Sequence, residues 1–227
     1  VAVKGVAFEE VTPPGGYRSD DYRAIVPMGT LPALRIDDWV LSESEAINEY
    51  LEERYPEPAM LPVDLQQRAR VRFLCRFHDL YLEPKVRALF GQVKPAGRDP
   101  QRVAMLRGEI EARLVQLAAW VQPRPWLLTP AISLADCGPL VNLPLACWLL
   151  AACEQPIALP PVLQAWLDAA NAHPPVRQAL DPWRAASKIR WKNSKATCTA
   201  LPTACWCWPK AMAGVKACLT FCAPAAS

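Results

Sequence analysis

The sequence predicts an α+β protein in which a small mixed α/β unit precedes an all-helical unit. Strand-like segments occur only in the first 57 residues, whereas apolar residues recur with helical spacing from Leu65 to about Leu180. Three prolines between residues 56 and 62 stop regular structure between the two regions. A chain of 227 residues is long enough for one large domain or two small ones.

The first unit begins with a predicted strand at residues 7–12, where apolar and acidic residues alternate before a Pro- and Gly-rich loop. A short helical turn is expected around Asp20–Ile25. The apolar stretches Ala33–Ile36 and Trp39–Leu41 flank two aspartates, which is typical of a tight hairpin. These segments predict a small sheet with at least one antiparallel pair.

An amphipathic helix is predicted after the hairpin. Ser42 stands where an N-cap is expected, and Glu43 brings acid into the first turn. Apolar and aromatic residues then recur at helical spacing, at Ile47, Tyr50, Leu51 and Tyr55.

The second unit contains several predicted helices. Residues 65–90 form the first, with Pro84 kinking or ending its regular part, and residues 103–121 form the next. Ser133 and Asp136 have capping-box spacing before an uncharged run at residues 137–153. Prolines interrupt that run, so it predicts a buried core helix in preference to a membrane span. Pro160-Pro161 opens a further helix.

Charge and cysteine are distributed unevenly along the chain. No acid follows Asp181, and seven Lys and Arg follow it; the first 181 residues hold 18 basic and 22 acidic residues, a net −4. Five of the nine cysteines lie in the same basic tail. An odd number of cysteines argues against a secreted disulfide framework, and the start has no signal-peptide pattern, so we expect a cytoplasmic protein.

The tail at residues 187–227 is rich in Cys, Trp and Lys, and we predict that it is disordered or non-native. Its cysteine spacing lacks the paired knuckles of a zinc site, so no metal is expected. Its basic residues and tryptophans are weaker support for single-stranded nucleic acid binding. We therefore expect neither a nucleic acid nor a membrane partner.

Four motifs, in order, resemble the cytosolic, bacterial-type glutathione S-transferases over residues 1–180. The segment Val26–Leu34, V-P-M-G-T-L-P-A-L, resembles the family's N-P-x-G-x-V-P-A-L, and Leu41–Ile47 with Tyr50-Leu51 resembles its L-x-E-S-x-A-I-x-x-Y-L helix. Residues 133–136, S-L-A-D, resemble the family's S-x-A-D cap, and residues 172–175, A-H-P-P, resemble a common ending. The resemblance implies a thioredoxin-like domain at 1–57, lacking its first strand and the start of its first helix, and an all-helical domain at 65–186.

The resemblance also implies a glutathione site at Leu31, Pro32, Glu43 and Ser44, with a cis Leu31-Pro32 bond. An extended tripeptide can pair with exposed backbone at Leu31. A helix N-terminus favours the γ-glutamyl carboxylate, and the Glu43 carboxylate can accept from its ammonium group. Without the resemblance, Glu43 and Ser44 are better explained as a dipole complement and a helix cap.

Phe77, His78 and Tyr81 are implied to line a pocket for a hydrophobic electrophile. His78 and Asp79 are not predicted to form an acid/base pair, because adjacent residues on a helix do not face each other. The family's thiol-activating residue is expected to be missing, so the catalytic residue is unknown and enzymatic activity is uncertain.

The expected function is transfer of the glutathione thiolate to an electrophilic small molecule, by a homodimer, and the sequence does not choose between this transfer and glutathione-dependent isomerisation or dehalogenation. The alternative is a non-catalytic glutathione-fold interaction module or an inactive fragment.

Overall fold

The computed structural model describes residues 2–180 and the backbone of Leu219–Phe221. The chain divides into two compact units, one containing residues up to Pro58 together with those from Pro175 onward, and the other Ala59–Pro174. The predicted domain boundaries at residues 57, 65 and 186 stay a prediction. The first unit contains a 3-10 turn at Ala2–Lys4, then β1 at Glu9–Val11, α1 at Asp20–Ile25, β2 at Ala33–Ile36, β3 at Trp39–Ser42, α2 at Ser44–Arg54 and β4 at Leu219–Phe221.

The sheet of the first unit has the strand order β1-β4-β2-β3. The predicted hairpin is confirmed: β2 and β3 are antiparallel, with Ile36 opposite Trp39 beside the turn and Ala33 opposite Ser42 at the other end. Asp37 in the turn has φ 52°, a left-handed conformation that Asp tolerates in tight turns. This small sheet with helices α1 and α2 has the thioredoxin-like α/β arrangement that was expected for the unit.

Strand β4 was not predicted. Its three residues pair antiparallel with β1 and parallel with β2, with Leu219 opposite both Val11 and Ala33. Three residues are too few to show an alternating pattern of apolar and polar residues, which explains why the sequence did not predict β4. The prediction that residues 187–227 are disordered or non-native otherwise lies outside the described residues.

Helix α2 packs on the sheet through a core of Leu34, Ile47 and Leu51. Its far end is held by Lys4, which is buried, forms an ion pair with Glu52 and donates to the carbonyl oxygens of Tyr55 and Pro58, at 2.7 and 2.8 Å. A buried ammonium group with several partners avoids the cost of an unpaired buried charge. These contacts fix the axis of α2.

The second unit is helical throughout. It contains α3 at Leu65–Phe77, a π-helical turn at His78–Leu82, α4 at Glu83–Ala88, a 3-10 turn at Leu89–Gln92, α5 at Pro100–Trp120, α6 at Leu134–Ala152 and α7 at Pro161–Ala172. Residues 174–180, of which all but the first belong to the first unit, are also helical. The continuous helix predicted at residues 65–90 is therefore interrupted at His78. Pro84 has no N–H to donate, and the wider π turn ends regular α-helix before that position.

Helix α6 forms the apolar centre of the second unit. The predicted capping box is confirmed, since Asp136 accepts from the backbone and hydroxyl of Ser133, both at 2.9 Å. Asp136 also accepts from Leu127 N–H and from the Trp166 indole, both at 3.0 Å. Burial raises the pKa of Asp136, although these hydrogen bonds oppose the shift. By length and composition α6 is one candidate to span a membrane, but 61% of its apolar window is buried inside the protein, as in a core helix.

Candidate functional site

Hairpin register brings the predicted glutathione residues to one end of the sheet. Ala33 and Ser42 are paired across β2 and β3. Leu31 and Pro32 come directly before Ala33, and Glu43 and Ser44 come directly after Ser42. The loop that enters β2 and the start of helix α2 therefore leave the hairpin at the same end.

The loop before β2 is held by Tyr22 of α1. The Leu31-Pro32 peptide bond is cis, as the resemblance implied. The Tyr22 hydroxyl donates to the carbonyl oxygen of Thr30 at 2.6 Å, and its ring is fully buried with Val26 and Ala33. Burial, and to a lesser extent Tyr17, raises the pKa of Tyr22 to about 12, so the hydroxyl remains a donor at neutral pH. Sequence reasoning missed Tyr22; its only signal was an aromatic residue in a short polar helix.

Helix α2 begins one residue later than predicted. Glu43, not Ser42, is the N-cap residue, and its backbone adopts φ 76° and ψ 117°. A positive φ is costly for a residue with a side chain, and such strain is found mostly at functional sites. The Glu43 side chain is exposed and makes no capping hydrogen bond. Its carboxylate is therefore not used in a capping hydrogen bond and remains available to a ligand at the start of α2.

This end of the hairpin can hold a zwitterionic, extended ligand. The first amides of an α-helix have no acceptor within the helix, and they carry the positive end of its dipole. Ser44, the first residue of α2, is exposed and offers such an amide together with its hydroxyl. The Glu43 carboxylate beside it suits an ammonium group. A ligand end group with both charges matches this pair.

The three residues assigned to the electrophile pocket lie where α3 passes into the π turn. Phe77 is buried and packs edge-on against Trp120, with ring centroids 5.0 Å apart, and against Tyr81 at 5.9 Å. Tyr81 is 51% exposed, and the Arg113 guanidinium lies 5.8 Å from its ring centroid. Of Phe77, His78 and Tyr81, only Tyr81 is substantially exposed in its own unit.

His78 contacts Asp79 after all, and the argument from helix geometry was wrong here. His78 Nδ1 lies 3.0 Å from Asp79 Oδ1, where regular α-helix gives way to the π turn that begins at His78. On the other side of the ring, Nε2 lies 2.5 Å from the amide nitrogen of Asn142 in α6. The His78 side chain is buried, with 6% of its surface exposed.

Metal ligands do not cluster in the part of the chain that the structure describes: no three His, Cys, Asp or Glu side chains there could hold an ion together. The four cysteines of the described region, Cys75, Cys137, Cys147 and Cys153, are not joined in disulfides. Burial raises the pKa of Cys147, so this thiol is not activated.

Comparison with known proteins identifies relatives that cover most of the chain. A family profile for the glutathione S-transferase N-terminal domain matches residues 1–59. Maleylacetoacetate isomerase of Pseudomonas aeruginosa is 31% identical over 189 residues, covering 79% of this chain and 86% of that protein.

Two solved structures extend the comparison to the fold. A holo maleyl pyruvate isomerase, a bacterial zeta-class glutathione S-transferase, is 28% identical with a TM-score of 0.66, covering 78% of this chain and 87% of the other. A theta-class glutathione S-transferase of Xanthomonas axonopodis pv. citri with glutathione bound is 29% identical with a TM-score of 0.61, covering 78% and 88%. These relatives are named as enzymes.

Proposed function

This chain belongs to the glutathione S-transferase family, and we propose that it uses glutathione to transform an electrophilic small molecule by transfer or isomerisation. The observation that carries the proposal is the pairing of Ala33 with Ser42, which gathers Leu31, Pro32, Glu43 and Ser44 at one end of the hairpin. Relatives covering most of this chain are a glutathione S-transferase and a maleylacetoacetate isomerase, which supports the same chemistry.

The proposed binding mode assigns one part of glutathione to each part of the site. The cysteinyl backbone pairs with the main chain of Leu31, in the manner of an added strand. The γ-glutamyl carboxylate lies at the α2 N-terminus and accepts from the amide and hydroxyl of Ser44. The γ-glutamyl ammonium donates to Glu43. The two charged contacts of the γ-glutamyl end and the backbone pairing at Leu31 then fix the position of the tripeptide and the direction of its thiol.

In the proposed reaction the glutathione thiolate attacks an electrophilic carbon. In transfer, a C–S bond forms and the leaving group departs with its electron pair. In isomerisation, the thiolate adds to one carbon of a double bond conjugated to a carbonyl, the remaining single bond rotates, and elimination restores the double bond and the thiolate. Both reactions use the thiolate as the nucleophile, which is the reactive form of a thiol.

Three further expectations belong to the same proposal. The electrophile is hydrophobic and is contacted by Phe77, His78 and Tyr81, with Tyr81 as its most accessible ring. The protein is cytoplasmic and forms a homodimer, as the family resemblance implies. Glutathione is the cosubstrate, and neither nucleic acid nor a membrane is a partner.

Calorimetric titration with glutathione tests the binding mode. We expect wild type to bind, and Glu43→Gln and Ser44→Ala each to weaken binding on the order of tenfold, the loss of one charge-assisted hydrogen bond. Glu53→Gln is the matched control, because Glu53 is also exposed but lies at the other end of α2. Equal affinity of the Glu43→Gln and Glu53→Gln variants would overturn the assignment.

Turnover is measured with 1-chloro-2,4-dinitrobenzene for transfer and with a maleyl compound for cis-to-trans isomerisation. Conversion of either substrate that depends on glutathione supports an enzyme. Binding of glutathione with no conversion of either substrate would favour the non-catalytic module instead.

A further inference from the structure

The buried imidazole of His78 connects the π turn to helix α6. Its Nδ1 lies 3.0 Å from Asp79 Oδ1, and its Nε2 lies 2.5 Å from Asn142 Nδ2. His78 and Asn142 are 64 positions apart, and each belongs to a different element of the same unit. We call this arrangement of Asp79, His78 and Asn142 the His78 bridge.

The proton positions in the His78 bridge follow from its donors and acceptors. A carboxylate only accepts, so the hydrogen bond to Asp79 needs a proton on Nδ1. A neutral imidazole then has a bare Nε2, which accepts from the Asn142 amide. Both polar atoms of this buried ring are satisfied in a single tautomer, with Nδ1 protonated.

Gly138 leaves the space that the ring needs. A Cβ added at Gly138 would lie 2.6 Å from His78 Cε1 and Nδ1 and 2.8 Å from Cγ, which is closer than real Cβ atoms approach. Gly138 is one turn before Asn142 on α6. Helix α6 therefore leaves room for the His78 ring at Gly138, which has no side chain, and orients the ring through the Asn142 amide.

The His78 bridge attaches the π turn, which also contains Tyr81, to helix α6. His78 and Tyr81 belong to the five-residue π turn, and the Tyr81 ring stacks on Phe77, the last residue of α3. Single π turns within helices are rare, and they are frequent at functional sites. The His78 side chain gives this turn a fixed attachment to α6.

We propose that Asn142 is a positioning residue, which holds His78 in its Nδ1-protonated tautomer and thereby fixes the turn that presents Tyr81 to the electrophile. The electrophile part of this inference rests on the proposed function, whereas the tautomer does not. His78 itself is not a proton donor or acceptor in the reaction, because both of its nitrogens are already used.

Nuclear magnetic resonance tests the tautomer directly, because the chain has only two histidines. Long-range ¹H–¹⁵N spectra distinguish a protonated from a bare ring nitrogen. His173 is an internal reference: it packs edge-on against Trp126, and its Nδ1 has no hydrogen-bond partner among the described residues. We expect His78 to show a protonated Nδ1 and a bare Nε2.

Asn142→Asp is the informative variant, since it keeps the shape of the side chain and replaces the donor with an acceptor. The ring then faces two carboxylates, and we expect both nitrogens of His78 to carry protons while the His173 signals stay unchanged. Gln122→Glu is the matched control, an amide-to-carboxylate change at an exposed position after α5. We expect it to leave the His78 signals unchanged. A doubly protonated or Nε2-protonated His78 in wild type would overturn the proposal.

Kinetics separate positioning from stability. For Asn142→Asp and Asn142→Ala we expect KM for 1-chloro-2,4-dinitrobenzene to rise on the order of tenfold, with the glutathione Kd unchanged. An unchanged electrophile KM, or an equal loss of glutathione affinity, would contradict the positioning function. Failure of wild type to bind glutathione would remove the proposed function but leave the tautomer result standing.

Discussion

Ala33 and Ser42 are opposite each other at the end of the β2–β3 hairpin, and both strands continue directly into candidate ligand-binding residues. Pro32 precedes Ala33 and Glu43 follows Ser42, so neither side of the site depends on a long loop for its position. A site on regular elements is placed more reproducibly than one on loops. We therefore expect its affinity for glutathione to respond to changes in the few contacts that hold these two chain segments.

The Tyr22 hydroxyl is one of those contacts. We expect Tyr22→Phe to lower the free energy of unfolding by about 1 kcal/mol and to weaken glutathione binding, because the Thr30 carbonyl loses its donor. Tyr17→Phe is the control, since its ring lies on the same loop region beside Arg18. Urea unfolding and calorimetry measure both effects. Equal behaviour of the two variants would show that the Thr30 contact does not position Leu31.

Stability at high pH depends on the same hydroxyl. The folded-state pKa of Tyr22 is raised from 10.0 to about 12, so the folded protein holds this proton longer than the unfolded chain does. The contribution of the protonated Tyr22 hydroxyl to the free energy of unfolding is fully present below pH 10, and it is lost as the pH rises from 10 towards 12. We expect the difference in unfolding free energy between wild type and Tyr22→Phe to shrink over this range. A constant difference would contradict the shifted pKa.

The positive φ of Glu43 is expected to lower the stability of the fold, whereas its carboxylate is proposed to bind glutathione. We expect Glu43→Gly to raise the free energy of unfolding by about 1 kcal/mol relative to Glu43→Ala, because glycine tolerates φ 76° and alanine does not. Both variants lack the carboxylate and should bind glutathione equally poorly. Thermal unfolding and calorimetry check the pair. A glycine variant less stable than the alanine variant would mean that the backbone here is not strained.

Gly138 and Gly108 form a matched pair of helical glycines. We expect Gly138→Ala to destabilise the protein by about 1–3 kcal/mol, because the new methyl group meets the buried His78 ring. Gly108→Ala in α5 should stabilise it by about 0.5–1 kcal/mol, since nothing lies within 4 Å of the added Cβ. Chemical denaturation measures both. A stable Gly138→Ala variant would show that the ring can move away from α6.

The parts of this fold that the sequence predicts are those governed by local patterns. The spacing of Ile47 and Leu51 predicts α2, two adjacent aspartates predict the hairpin, and Ser133 with Asp136 predicts the start of α6. Each of these signals lies within a few residues of the structure that it specifies.

The features that sequence reasoning missed depend on non-local contacts or on strain. The Asn142–His78 contact joins residues 64 positions apart, and the β4 pairing joins Leu219 to Ala33. The shift of the N-cap from Ser42 to Glu43 requires a positive φ that residue preferences disfavour, so capping rules select the wrong residue. Family resemblance supplied the candidate ligand residues, and the hairpin register explains why they lie together.

The most direct test of the central claim is a ¹⁵N-amide NMR titration of the ¹⁵N-labelled chain with glutathione. We expect saturable shifts of the Leu31 and Ser44 amides together, from the two sides of the hairpin end, and little change at Glu53 at the far end of α2. Saturable shifts confined to other parts of the chain, with Leu31 and Ser44 unaffected, would contradict a glutathione site at the Ala33–Ser42 end.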